Sequence, residues 1–280
     1  MKKLFISLVA VLFAVSMTYA QTTTYVTQSG NYNAANVSQD LSNANAPLHT
    51  SSIYATQSGS YNLLNADQLG SANYINLNQS GLNNTANMNQ LNLNASSYGY
   101  TNNADITQGG NYNSANLTQK QDPGTDYSTN TVHANQSGNN NSYTLGQGIP
   151  TSAGTMFQPI NNQYLTQSGN NNSASLSQGG QTQYSEINQT STANGNYAQL
   201  TQRGESGMSN SWDKSYSWQS GSNNNVMIDQ VGSPNGGEFG TTYQDGNYNH
   251  TGVTQNSWSL QNVTSDQHGN HNALDVNQHN

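Results

Sequence analysis

One pattern constrains the fold of this chain more than any other feature: Gln-x-Gly-x-x-Asn, followed by a second Gln eleven residues after the first. It occurs intact ten times, starting at Gln28, Gln57, Gln68, Gln79, Gln108, Gln136, Gln167, Gln219, Gln244 and Gln267. Two weaker copies start at Gln178, where Gln183 replaces the Asn, and at Gln189, where two extra residues delay the closing Gln202. A fixed period repeated this often indicates an architecture in which each unit packs on its neighbours.

The residues between the Asn and the closing Gln alternate in character. Two positions before the closing Gln the side chain is apolar in almost every copy, as at Val37, Leu117 and Leu176. Two positions earlier it is mostly small or apolar, and most of the intervening positions carry Asn, Ser, Thr or an acidic residue. A period of two with one apolar face predicts a β-strand that buries one face.

The Gly and Asn of each repeat predict a tight arc between strands. Gly reaches backbone angles closed to other residues, and Asn tolerates the left-handed region and bonds locally to the backbone. We therefore predict an all-β fold: a β-solenoid of about ten strand-turn-strand coils that form two stacked parallel sheets, compatible with cross-β assembly. Proline cannot donate to a sheet ladder, and all five prolines fall between the predicted coils, at Pro47, Pro123, Pro150, Pro159 and Pro234.

Coils stacked about 4.8 Å apart would place each Gln above the Gln of the next coil, so that buried amides bond along the stack. A slip of one residue would leave buried amides unpaired, at about 1–3 kcal/mol each. The predicted Gln ladder is Gln28, Gln39, Gln57, Gln68, Gln79, Gln90, Gln108, Gln119, Gln136, Gln147, Gln167, Gln178, Gln189, Gln202, Gln219, Gln230, Gln244, Gln255, Gln267 and Gln278. The predicted turn and ladder residues are Gly30, Asn33, Gly59, Asn62, Gly81, Asn84, Gly110, Asn113, Gly138, Asn141, Gly169, Asn172, Gly221, Asn224, Gly246, Asn249, Gly269 and Asn272.

Composition agrees with a thin, repetitive fold. Hydrophobic residues make up 31% of the 280 residues and charged residues only 6%, whereas 47 Asn and 28 Gln supply about a quarter. A large layered core is not expected from these values, and Asn/Gln-rich sequences of low charge tend toward β-assembly. The chain has no cysteine, so disulfides cannot stabilise it.

The first twenty residues have the composition of a secretory signal peptide. Two lysines precede an apolar run from Leu4 to Val15, and Thr18-Tyr19-Ala20 offers a cleavage site. The apolar run is shorter than the ~20 residues that cross a bilayer, which disfavours an uncleaved anchor. We predict a leader over 1–20 and a repeat domain over 21–280. Without the leader, three basic residues face thirteen acidic ones, which disfavours a nucleic-acid partner.

The unit from Gln28 to Gln39, QSGNYNAANVSQ, resembles the curlin repeat of curli, the secreted functional amyloid of bacteria. The resemblance covers nearly all of residues 22–280. It implies a subunit that leaves a Gram-negative-type bacterium through an outer-membrane secretion pore, with periplasmic chaperones and a nucleator subunit as partners. It also implies head-to-tail assembly with copies of itself into extracellular fibres that support biofilm matrix, adhesion and aggregation.

This sequence departs from the curlin pattern in its ten coils, which exceed the five or so of familiar curlins, in its longer inter-coil loops, and at two sets of strand positions. Curlin repeats open with Ser six residues before the first Gln, whereas this chain has Thr22 and Ser51 there in two coils and then Asn73, Asn102, Asn130 and Asn161. Near the C-terminus the first strands are weaker, because Asp213 and Glu238 would point inward. Four aromatic residues of the same strands would point outward: Tyr216, Trp218, Phe239 and Tyr243.

The residues at the two ends of the chain make assembly the leading functional hypothesis. The first coil begins within a few residues of the predicted mature N-terminus, and Gln278 is followed only by His279 and Asn280. Soluble solenoids need polar caps, and we expect none to fit here. Terminal strands with unpaired N–H and C=O groups would then accept further copies in an open, head-to-tail contact.

Other functions have less support. A polysaccharide-cleaving enzyme needs clustered carboxylates, whereas the acidic residues are scattered, so we expect no catalytic site and no cofactor. His268 and His271, with His250 and His279 nearby, lack zinc-site spacing, and no metal is expected. An adhesin or a nucleator that does not form the main fibre stays open as the alternative. Outward aromatics such as Tyr25 can stack on sugars, or on one another along the sheet.

Overall fold

The computed structural model describes residues 22–41, 50–70, 72–92, 101–121, 129–148, 160–179, 182–204, 213–232, 237–256 and 260–279. The predicted leader and the five prolines lie outside these ranges. Each range holds one coil of two strands, and coils are numbered here from one to ten in chain order. No helix long and apolar enough to span a bilayer occurs in the described part of the chain.

In the described ranges, twenty strands form two parallel, ten-stranded sheets, which confirms the predicted fold class. The first sheet contains, in spatial order, β1 (Thr22–Asn31), β3 (Ser51–Ser60), β5 (Asn73–Leu82), β7 (Thr101–Gln108), β9 (Thr129–Gln136), β11 (Ile160–Asn170), β13 (Gln183–Asn194), β15 (Asp213–Ser222), β17 (Glu238–Asn247) and β19 (Gln261–His268). The second sheet contains β2 (Ala34–Asp40), β4 (Leu63–Gly70), β6 (Thr85–Asn92), β8 (Ser114–Gln121), β10 (Ser142–Gly148), β12 (Ser173–Gly179), β14 (Tyr197–Gly204), β16 (Asn225–Gly232), β18 (His250–Asn256) and β20 (Ala273–His279).

The register follows the repeat throughout both sheets. Opening glutamines pair with opening glutamines from Gln28 to Gln267, and closing glutamines pair with closing ones from Gln39 to Gln278. The two extra residues of the seventh coil are absorbed locally, because the pairing of β11 with β13 shifts between Ser168 and Asn170. The register of both sheets is therefore the same before and after this irregular arc.

The space between the sheets holds alternating rows of apolar and amide side chains. Inward residues such as Ile75, Leu77, Leu145 and Leu200 are buried, while their sequence neighbours face outward. Tyr143 is the largest fully buried side chain among the described residues, and its in-register neighbours Ala115 and Ala174 leave it room. Because amides fill much of the interior, few apolar residues are needed to close the fold.

The arcs between first and second strands depend on glycine, as predicted. Gly110 has φ +92°, and a Cβ there would lie 2.0 Å from the carbonyl oxygen of Gly138 in the next coil. The predicted left-handed Asn is wrong, however. The left-handed residue is the one before it, such as Tyr112 with φ 57°. The Asn side chain points into the arc and forms hydrogen bonds with its neighbours there. The left-handed residue of the turn is therefore one position earlier than predicted.

The weaker first strands near the C-terminus keep the common register. Gln189, Gln219, Gln244 and Gln267 remain aligned through β13, β15, β17 and β19. The interior is more polar in this region, with buried hydroxyl side chains at Ser215, Ser217 and Thr242. The expectation that Asp213 and Glu238 point inward is confirmed, because both are buried. Tyr216, Trp218, Phe239 and Tyr243 occupy the outward positions.

Candidate functional site

Two continuous glutamine ladders run through the interior, one on each sheet. In the first sheet, nine side-chain hydrogen bonds of 2.6–3.1 Å connect Gln28 to Gln267 through every coil. In the second sheet, nine bonds of 2.7–3.2 Å connect Gln39 to Gln278. The amides of coils two to nine are buried, with exposures of 0–2%.

From Gln57 to Gln244, the ladder glutamines also bridge the two sheets. Gln79 Nε2 donates to Gln108 Oε1 at 2.7 Å and to the Leu63 carbonyl of the second sheet at 3.3 Å. Gln90 Nε2 likewise donates to Gln119 Oε1 and to the Tyr74 carbonyl of the first sheet. Only an amide supplies an acceptor and two donors on one side chain, so no other residue reproduces these contacts.

Both ladders have the same direction. Every Nε2 in them donates to the Oε1 of the coil with the higher number, as in Gln57 to Gln79 and Gln68 to Gln90. The tenth coil therefore carries the donor end of each ladder, and the first coil carries the acceptor end. This direction makes the two end surfaces different from each other and chemically complementary.

An asparagine ladder lies within the arcs. Asn141 Nδ2 donates to the carbonyl oxygens of Ser137 and Gly169, each at 2.9 Å. Its Oδ1 accepts the backbone N–H of Asn172 from the next coil at 3.0 Å. The same acceptor bond recurs along the column from Asn33 to Asn272. Asn141 thus closes its own arc and holds the following one.

Two sets of ladder residues were missed by the sequence pattern. Asn196 continues the arc ladder in the seventh coil, where the insertion displaces it from the expected spacing. Asn73, Asn102, Asn130 and Asn161 form a third buried ladder, with Nδ2 to Oδ1 distances of 2.9–3.1 Å. The repeated Asn at one offset is the sequence signal for this ladder, although it departs from the Ser of the curlin pattern.

The first coil and the second strand of the tenth coil expose side chains at positions that other coils bury, whereas Val263 and Gln267 of β19 stay buried. Gln28 is exposed, and Gln39 and Gln278 are half-buried. At the other end of the stack, Leu274 is 37% exposed, and Val276 is only half-buried. Among the described residues, no strand pairs with the outer edges of β1 and β2 at one end of the stack or with those of β19 and β20 at the other.

Outward aromatic residues stack on one another along the first sheet. Tyr25 and Tyr54 stack with ring centroids 5.4 Å apart. A longer column runs from His133 through Tyr164, Tyr184, Tyr216 and Trp218 to Tyr243, with centroids 4.7–5.4 Å apart. Burial raises the pKa of Tyr184, and its hydrogen bond to Glu186 raises it further.

A groove of about 410 Å³ lies beside Trp218 and Tyr243 at the outer end of this column. Asp245, Asp266 and His268 border it, with His268 Nε2 lying 3.1 Å from Asp266 Oδ1. The histidines considered in the sequence do not converge: His250 lies beside Asp275, and His271 stacks on Tyr248. Within the described ranges, no group of three or more His, Cys, Asp or Glu side chains could hold a metal ion.

Comparison of the chain with protein-family models, with curated proteins and with solved structures gives no match in any of the three. The ladders, the end coils and the outer face of the first sheet are therefore the features that bear on function.

Proposed function

We propose that this protein is a secreted structural subunit that stacks head-to-tail on copies of itself into extracellular amyloid fibres of a curli-like kind. The observation that carries the proposal is the pair of end surfaces. In the first coil and in β20, amide and apolar side chains that interior coils bury against a neighbour are exposed or half-buried, whereas the inward residues of β19 are buried. Parallel, in-register stacking of such rows is the geometry of cross-β fibres.

A single register satisfies both sheets when the tenth coil of one copy meets the first coil of the next. Placing Gln267 beside Gln28 also places Gln278 beside Gln39, because both pairs are separated by the same number of residues. The donor end of each ladder then meets an acceptor end. The hydrogen-bond direction within one subunit would continue unchanged into the next.

The remaining side chains agree with this register. On the second sheet, Leu274 would pack beside Ala35 and Val276 beside Val37, which completes two apolar rows. In the arc, His271 of one copy would stack on Tyr32 of the next copy. This contact would join the Tyr248–His271 stack of the first copy to the Tyr32–Tyr61 stack of the second. At the strand ends, His279 would lie beside Asp40.

The direct test follows purified protein comprising residues 21–280 by thioflavin fluorescence and electron microscopy. We expect unbranched fibres to form after a lag and added fibre fragments to remove that lag, because nucleation precedes growth. A protein that stays folded and monomeric at micromolar concentration for days would contradict the proposal.

Substitution at the C-terminal end surface tests the interface itself. Val276→Lys should slow seeded elongation at least about tenfold, since burying an unpaired charge costs more than about 1.4 kcal/mol. Asn277→Lys is the matched control, because Asn277 is the adjacent outward residue of β20 and is exposed. Equal elongation rates for the two variants would show that copies do not join through this surface.

The groove beside Trp218 and Tyr243 supports a second candidate, an adhesin that binds its ligand on the outer face of the first sheet. Aromatic rings beside exposed carboxylates can contact sugar rings and hydroxyl groups. The two functions differ in the test above: a monomeric adhesin would remain soluble and would not respond to added fibre fragments.

A further inference from the structure

One buried column of the first sheet changes character near the C-terminus. The column lies six residues before each opening Gln and consists of Thr22, Ser51, Asn73, Asn102, Asn130, Asn161, Gln183, Asp213, Glu238 and Gln261. All members from Ser51 onward are buried. Eight members are neutral, and the two carboxyl groups are adjacent, in coils eight and nine.

The Asp213 carboxyl group is enclosed on all sides that the structure describes. Its side chain is 0% exposed. Oδ1 accepts the backbone N–H of Glu238 at 3.1 Å, and Oδ2 accepts Gln183 Nε2 at 3.5 Å. Gly232 lies opposite, where a Cβ would come within 2.5 Å of Oδ2. The absence of a side chain at Gly232 thus provides the space that the carboxyl group occupies.

Glu238 lies one rung from Asp213 and is 1% exposed. Adjacent strands of a sheet are about 4.8 Å apart, so two ionised carboxylates here would repel each other in a medium of low dielectric constant. The other inward groups nearby, Gln183, Ser185 and Gln261, are neutral. The other acidic, basic and histidine residues on the strands packed around the pair lie on outward faces: Glu186, Arg203, Lys214, Asp229, Asp245, His250, Asp266 and His268.

We propose that Asp213 and Glu238 form a proton-binding carboxyl pair that makes closure of the eighth and ninth coils depend on pH. When the pair holds one proton, one carboxyl group can donate a hydrogen bond, as the amide groups do elsewhere in the column. Without it, two negative charges are buried side by side. The first strands of these coils are then firmly closed in mild acid and open more often at neutral pH. The inference concerns closure within one chain, and it holds whether or not copies assemble.

The direction of the effect follows from the Asp213 environment. Burial raises the pKa of the Asp213 carboxyl group from 3.8 to about 6, although hydrogen bonds from Glu238 N–H and Gln183 partly oppose the rise. The folded state therefore binds a proton more tightly than the unfolded state does. The penalty for burying the charge is complete above about pH 6, and it is relieved as the pH falls toward 4.

Segment-resolved hydrogen exchange of the folded full-length mature chain, in buffers containing EDTA, tests the proposal. After correction for intrinsic exchange rates, protection of segments 213–222 and 238–247 should fall by on the order of tenfold between pH 4.5 and pH 7.5. Segment 73–82, where the column residue is Asn73, should keep its protection. The double variant Asp213→Asn/Glu238→Gln restores the amides found elsewhere in the column and should remove the pH dependence.

A matched control removes the same two charges elsewhere. Asp67→Asn/Glu186→Gln changes outward carboxylates and should keep the pH dependence of the unmodified protein. The single variants Asp213→Asn and Glu238→Gln give the same comparison if the double variant folds poorly. Equal protection of 213–222 at both pH values in the unmodified chain would overturn the proposal, and so would pH dependence that persists in the double variant.

Discussion

Replacing Gln119 by Lys is expected to break the stack at its fourth coil and to lower the free energy of unfolding by at least about 3 kcal/mol. Gln119 is fully buried, and its Oε1 accepts Gln90 Nε2 at 2.7 Å. Its Nε2 donates to Gln147 Oε1 and to the carbonyl oxygens of Asn103 and Asn130. A lysine here buries an unpaired charge and leaves Gln90 without its acceptor.

The control for this change is the neighbouring residue in the same strand. Thr118 is exposed on the outward face of β8, so Thr118→Lys adds the same charge one residue away without entering the core. Surface substitutions of this kind usually change stability by less than about 0.5 kcal/mol. Denaturant unfolding followed by far-ultraviolet circular dichroism compares the two. Similar midpoints for both variants would mean that Gln119 does not face the interior.

A methyl group on Gly138 is expected to have an effect of similar size, for a different reason. Gly138 has φ +96°, and a Cβ would lie 1.9 Å from the carbonyl oxygen of Gly169 in the next coil. Neither that backbone oxygen nor the arc can move without disturbing the Asn141 bonds to Ser137 and Gly169. We expect Gly138→Ala to cost on the order of 3 kcal/mol, through strain and lost hydrogen bonds.

Gly146 provides the comparison for this substitution. It lies in β10, eight residues further along the chain, and a Cβ there would meet only the Leu176 carbonyl oxygen, at 3.9 Å. Gly146→Ala should therefore leave stability unchanged or raise it slightly, because alanine reduces the freedom of the unfolded chain. The same unfolding experiment separates the two variants, and equal loss of stability in both would contradict the tight arc.

The fold was predictable because its information is local and repeated. The spacing between glutamines and the alternation ending at residues such as Val37 and Leu117 set the strand, its inward face and its register in every coil. Repetition also removes the usual difficulty of choosing strand partners, since each coil can pack only on the coils before and after it. No long-range pairing had to be guessed.

The missed features depend on geometry that spacing does not contain. Asn196 holds its ladder position only because the sheet pairing shifts beside Ser168 and takes up two residues. The long aromatic column joins Tyr164 to Tyr184 and Tyr184 to Tyr216, which occupy different offsets within their strands. Such diagonal contacts depend on side-chain direction across neighbouring strands. The spacing likewise does not show that the hydrogen bonds of the two glutamine ladders have the same direction, which is seen by comparing the two sheets of the structure.

The most direct test of the solenoid and its end-to-end joint is a structure of the assembled fibre by electron cryo-microscopy. Ten coils per subunit predict rungs about 4.8 Å apart and a subunit repeat of about 48 Å along the fibre axis. Density for Gln108 and Gln119 should lie between the two sheets, and the Gln267 rung of one copy should meet the Gln28 rung of the next. A fibre with one chain per rung, or with these glutamines facing solvent, would contradict the account.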